Sequence, residues 1–272
     1  MAAVLAAGAF GTLIGSFLNV VVYRVPLGLS VVAPPSACGS CHHVIRAYDN
    51  IPLISWLVLR GRCRDCHAPI SARYPLVELA GGVAFAVVAW RFGTDVLMAP
   101  TGLAAAAAAV ALVAFLYFAA IGIALALIDL DVHRLPDKIV LPAYVVGAVL
   151  LGVSAILGGD PGSLLTASIG MVAAFTLYLG LALIRPGAMG MGDVKLAGVI
   201  GLYLGWLGVP ELVVGVAAAF LLGGVVGIGM LIARRSARTA VPFGPWMLLG
   251  AWIGALAGVP IAQAYLNLSG IT

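Results

Sequence analysis

Long apolar runs with almost no charge inside them recur along this chain. A run of about twenty such residues is long enough to cross a lipid bilayer as a helix. Eight can be traced, at residues 2–23, 76–92, 102–128, 139–157, 164–184, 196–207 with its flanks, 212–233 and 241–262. The chain is 63% hydrophobic and only 9% charged, where a soluble domain is about 25% charged. The pattern predicts an all-α polytopic membrane protein of about eight transmembrane helices in contact with the lipid bilayer. It divides the chain into a first helix at 1–23, a polar loop domain at 24–75 and a seven-helix membrane core at 76–272. The second and sixth runs are short and the third is long, which predicts tilt or irregularity there. Residues 2–23 lack a basic leading region, so they read as a span and not as a cleavable signal. No internal repeat is strong enough to suggest an inverted-repeat transporter.

Basic residues set the orientation. Arg24, Arg46, Arg60, Arg62, Arg64 and Arg73 share the first loop; alternate loops add Arg134, Lys138, Arg185, Lys195, Arg234, Arg235 and Arg238. Of the 14 lysines and arginines, only Arg91 falls on the other side. Positive charge accumulates on the cytoplasmic face. Both termini are therefore expected outside, with the polar loop in the cytoplasm. A net charge of +4 distributed in this way reports orientation and gives no reason to expect nucleic acid as a partner.

All four cysteines lie in that loop, as Cys38-Gly39-Ser40-Cys41 and Cys63-Arg64-Asp65-Cys66. Two C-x-x-C pairs at this separation match a structural zinc pattern, in which four thiolates close a tetrahedral site. A bound Zn²⁺ would hold together a segment too small to build much of a core. Two disulfides are the alternative, which a cytoplasmic location disfavours. His42, His43 and His67 are adjacent, but four thiolates suffice, so these histidines read as loop residues.

Two acids stand at helix ends in apolar surroundings. Asp129 directly follows Leu125-Ala126-Leu127-Ile128, and Asp193 stands in Gly190-Met191-Gly192-Asp193-Val194-Lys195. Ionisable groups at membrane depth are functional candidates by default. For Asp193 the plainer account is a first-turn acid complementing a helix dipole. Two carboxylates at one depth suggest aspartic-protease chemistry, with one proton shared between them. Lys195 is expected to snorkel to the interface. Asp131 and Asp137 read as members of a solvated turn, ion-paired locally beside Arg134 and Lys138. Glu78 reads as an interfacial residue paired with a nearby arginine such as Arg73. A transporter using Asp129, Asp193 and Lys195 as an ion path, or a structural subunit with a docking knuckle, is the rival reading.

The ordered set of motifs resembles the type IV prepilin peptidases, membrane aspartic proteases of the G-x-G-D class. It comprises Gly15-Ser16-Phe17-Leu18-Asn19, both C-x-x-C pairs, Asn50-Ile51-Pro52, Arg60-Gly61-Arg62-Cys63 and Arg73-Tyr74-Pro75-Leu76-Val77-Glu78. Ile128-Asp129, Leu135-Pro136-Asp137, Gly190-Met191-Gly192-Asp193-Val194-Lys195 and Pro242-Phe243-Gly244-Pro245 complete it. The resemblance implies cleavage of type IV prepilin or pseudopilin leaders after a glycine, at the cytoplasmic face of the bacterial inner membrane. It also implies Asp129 and Asp193 as the catalytic pair, and methylation of the new N-terminus using S-adenosylmethionine. Gly61 is a weak candidate for that second site, a turn glycine being the simpler account.

Overall fold

The computed structural model describes residues 1–184, 189–232 and 242–270. Arg185, Arg234, Arg235 and Arg238, and the expected span ends at Ala233 and Val241, lie outside the described residues. The described chain is nearly all helical. It forms α1 (Ala2–Arg24), a 3-10 turn (Ala47–Asp49), a short α2 (Ile54–Val58), α3 (Arg73–Leu97), α4 (Gly102–Val132), α5 (Asp137–Gly158), α6 (Pro161–Ile184), α7 (Met191–Leu207), α8 (Val209–Ile232) and α9 (Gly244–Leu268). Apart from two isolated bridges in the loop, there is no β-structure among the described residues.

Seven of these helices are long and apolar enough to cross a membrane on their own. The other long one, α7, has 17 residues, or about 25 Å at 1.5 Å per residue. That falls short of a hydrocarbon core of about 30 Å. Its surroundings account for the length. Every residue from Leu196 to Gly205 is buried, and a helix apolar on all sides belongs inside the protein. It nonetheless runs the length of the bundle. Gly192 meets Leu135 at one end, and at the other Trp206 and Leu207 line a cavity together with Arg91, Asp95 and Asp160. The side chains it would have turned to lipid face α4, α5, α6, α8 and α9 instead. Phe118 of α4 stacks on Tyr203 of α7 at 4.5 Å between ring centroids. The outer helices carry the lipid-facing surface, with exposed Leu5, Phe10 and Phe17 on α1 and Val213, Leu221 and Val225 on α8.

Three helix pairs approach so closely that small residues are required between them. A Cβ built on Gly201 of α7 would lie 2.2 Å from the Gly170 carbonyl oxygen of α6. One on Gly11 of α1 would lie 2.4 Å from the Gly81 oxygen of α3. The pair α8 and α9 meets in the same way through Gly215 and Gly250. In lipid, where apolar surface gains nothing by leaving solvent, such close packing is a principal source of helix association.

Helix boundaries depart from the apolar runs where polar residues lie inside a helix. The second run becomes α3, longer at both ends, because Arg73, Tyr74 and Asp95 are helical. The sixth begins at Met191 rather than Leu196, because Asp193 and Lys195 form the first turns of α7.

Candidate active site and metal centre

The loop between α1 and α3 contains two knuckles of the same construction. In the first, the Cys38 N–H donates to the His43 carbonyl and the His42 N–H to the Cys38 carbonyl, at 2.9 and 3.0 Å. In the second, the Cys63 N–H donates to Ala68 and the His67 N–H to Cys63, at the same two distances. His42 and His67 take the left-handed position that each turn needs, with φ of 57° and 58°. These histidines serve the turns; the four-residue cluster able to hold a metal consists of cysteines alone.

The four Sγ atoms lie within 4.8 Å of one another, and all four cysteines are free. Cys38 Sγ and Cys66 Sγ are 3.8 Å apart. That is about the edge of a tetrahedron with 2.3 Å metal–sulfur bonds, and far beyond a disulfide bond of about 2.05 Å. The backbone N–H groups of Cys41 and Ser40 hold the Cys38 thiol down at about 6. At Cys66 the Ala68 amide acts in the same direction, but desolvation and the three neighbouring sulfurs outweigh it and push the thiol up to about 12. Four sulfurs so close cannot all ionise without a cation among them, so the donor set fits a metal ion.

Reciprocal ion pairs brace the knuckles. Arg46 follows the first and reaches Asp65 of the second at 2.8 Å. Arg64 of the second reaches back to Asp49, its Nε donating at 2.9 and 3.0 Å. Gly61 introduces the second knuckle with φ of +66°, and a Cβ there would stand 3.0 Å from the Trp56 ring. The Trp56 indole N–H donates to Ile70. Turn and contact account for this glycine without a ligand.

Glu78 is buried, and its Oε2 accepts from the Leu53 N–H at 2.8 Å. The expected pairing with Arg73 does not form. Arg73 turns instead to Asp131, bonding both carboxylate oxygens. Asp137 accepts from Lys195 Nζ at 2.8 and 2.9 Å. The local pairing expected for Asp131 and Asp137 is thus replaced by contacts 58 residues apart in the chain. The reversal between α4 and α5 sets Asp131 against the start of α3 and Asp137 against the start of α7. Lys195 is likewise in an ion pair rather than simply extended to the interface.

Asp129 and Asp193 come to the same end of the bundle. Asp129 is buried in the last turn of α4. Its Oδ2 accepts from the Gly244 N–H, at the start of α9, at 2.9 Å. Asp193 lies in the first turn of α7, and its Oδ2 accepts from the Gly190 N–H at 3.1 Å. It therefore caps its helix, as the plainer account of its position expected. Leu135 lies between the two glycine-bearing helix starts. A Cβ on Gly192 would stand 2.9 Å from Leu135 Cβ, and one on Gly244 would stand 3.4 Å from Leu135 Cδ2. The sequence reading gave neither Leu135 nor Gly244 a role. The Leu135-Pro136-Asp137 and Pro242-Phe243-Gly244-Pro245 motifs are the available signals for these two residues.

Residues 9–92 match the bacterial peptidase A24 N-terminal domain, and residues 116–228 match the type IV leader peptidase family. The chain belongs to the type IV leader peptidase family. Among its relatives is a prepilin leader peptidase/N-methyltransferase of Stutzerimonas stutzeri, 34% identical over 99% of this chain and 96% of the relative. Proteins of the same description from Aeromonas hydrophila and Pseudomonas aeruginosa are 36% and 35% identical. They cover 95% and 96% of this chain, and 92% of each relative. No solved structure matches the chain. This family member is a peptidase with helices able to cross a membrane many times.

Proposed function

We propose that the chain removes the leader of type IV prepilins or pseudopilins after a glycine, with Asp129 and Asp193 as the catalytic pair. The observation that carries this reading is the meeting of α4, α7 and α9 at one end of the bundle, around two carboxyl groups and two glycines. Like charges at close range share one proton. The ionised member takes a proton from water as that water attacks the scissile carbonyl, and the protonated member polarises the carbonyl oxygen. The two acids titrate as one unit. The Gly244 amide orients Asp129 and the Gly190 amide orients Asp193, each leaving a second oxygen for chemistry. Lys195 is paired with Asp137 and so leaves the proton between the aspartates.

The site end carries Arg24, Arg73, Arg134, Lys138 and Lys195, and the opposite end Arg91. This arrangement supports an inner-membrane protein with the cysteine loop in the cytoplasm and both termini outside. A basic leader stays in the cytoplasm while the apolar segment behind it enters the bilayer, bringing the scissile bond to the depth of the pair. The loop (24–75) is proposed as a zinc-binding domain on Cys38, Cys41, Cys63 and Cys66, set beside a peptidase core (76–272). Methylation of the new N-terminus with S-adenosylmethionine is proposed from the relatives' names. Gly61 is already accounted for by its turn.

The test is leader removal, read by mass, with purified protein and a prepilin-like substrate. Asp129→Asn and Asp193→Asn keep side-chain size but remove the shared proton, and each should abolish cleavage in protein of unchanged thermal stability. Substantial turnover by either folded variant refutes the pair.

A further inference from the structure

Leu135 faces the helix start that carries Asp193 and the one that supports Asp129. Its Cβ would meet a methyl group added at Gly192, and its Cδ2 one added at Gly244. A methyl on Gly244 would also stand 2.8 Å from Asp129 Oδ2. Leu135, Gly192, Gly244 and the Asp129 carboxylate therefore pack against one another, and Leu135 sets side-chain bulk beside that carboxylate.

The turn that presents Leu135 is fastened on both sides. Asp131, before it, is held by Arg73 of α3, and Asp137, after it, by Lys195 of α7. Tyr144 of α5 adds a third fastening, its hydroxyl donating to the Lys195 carbonyl at 2.6 Å. His133 takes a left-handed turn, and its N–H donates to the Asp129 carbonyl at 2.9 Å. A side chain mounted this way has little freedom to withdraw when a peptide enters.

We propose that Leu135 is the specificity-determining wall of the site: it excludes any side chain on the residue whose carbonyl meets the aspartates, and so enforces glycine there. This rests on the proposed role of Asp129 and Asp193. Gly192 and Gly244 lend the backbone room, and Leu135 limits that room to a residue without a Cβ.

The test is a competition between two synthetic peptides, each with a basic leader and an apolar segment. They differ only in glycine or alanine before the scissile bond. Full-length protein in lipid nanodiscs cleaves an equal mixture, and mass spectrometry gives the ratio of the two products. One methyl group in a tight pocket changes such a ratio by roughly 10–200-fold. Leu135→Ala should shift the ratio toward alanine by about ten-fold or more. Leu135→Val, which keeps more of the packing, should shift it less but in the same direction. An unchanged ratio in a variant that still cleaves overturns the proposal. Loss of both products in both variants, with stability retained, also overturns it, because a wall that only selects is not required for turnover. Asp129→Asn in the same assay separates the two readings. If that variant cleaves, the aspartate pair falls, whereas a shifted ratio in Leu135→Ala still assigns selectivity to Leu135.

Discussion

Gly201→Ala tests whether the α6–α7 contact controls the site. The added methyl group would stand 2.2 Å from the Gly170 carbonyl oxygen, where ordinary contact begins at 3.4 Å. Both sides of that contact are backbone, so no side chain can swing away. The helices must part by about 1.2 Å, an overpacking error that costs about 1–3 kcal/mol. Asp193 lies eight residues earlier on the same helix, about 12 Å along its axis. A displacement of about 1 Å carried to a catalytic group can cost about 100-fold in rate. Thermal unfolding and leader removal should therefore fall together, turnover more steeply than stability. Gly180→Ala is the control: it lies on α6 with nothing within 4 Å, and should be neutral or stabilising by about 0.5–1 kcal/mol. Gly201→Ala protein with unchanged melting temperature and turnover would falsify the close approach and its link to Asp193.

Metal analysis of purified protein should return about one zinc per chain; metal-free protein with disulfides in a preparation kept reduced would contradict the tetrathiolate. Chelation should loosen residues 36–70 in hydrogen exchange before α1 or α3. The Arg64 guanidinium beside Asp49 holds that carboxyl below the usual carboxylate range. The pair's contribution to loop stability is thus complete above about pH 4 and lost as pH falls through the lower folded-state value. Asp49→Asn should remove that part of the acid dependence, measured as the difference in exchange between variant and parent. Tags at residues 1 and 272 should both be reached from the non-cytoplasmic face, and a tag near residue 236 should not; a cytoplasmic C-terminus would overturn the orientation.

The helices were legible because a bilayer leaves a chain few options: backbone groups must be satisfied within the segment, so apolar runs become helices. The cysteine site was legible because C-x-x-C spacing already places two sulfurs on one turn. Partners across the bundle were less so. Arg73 and Glu78 are five residues apart and looked like a pair, yet Glu78 caps a loop amide and Arg73 crosses to α4. Lys195 gave no sign of reaching Asp137. The Leu135-Pro136-Asp137 motif marked the turn, but not that Leu135 packs against Gly192 and Gly244, which are distant in sequence. Glycines at 170, 201 and 205 could be seen in the sequence, but which helices they would join could not.

The close pairing of α1 with α3 has a consequence for the loop between them. Asn19 Nδ2 donates to the Tyr74 carbonyl at 3.2 Å, so the chain leaves the membrane body and returns to it at adjoining points. The membrane helices therefore meet the entropic cost of closing this loop before any metal binds. The loop is mounted as an insert: exchanging residues 30–70 for a short polar linker would leave α1 and α3 joined at their ends and Arg73 on Asp131, at the cost of the Leu53 amide that satisfies the buried Glu78.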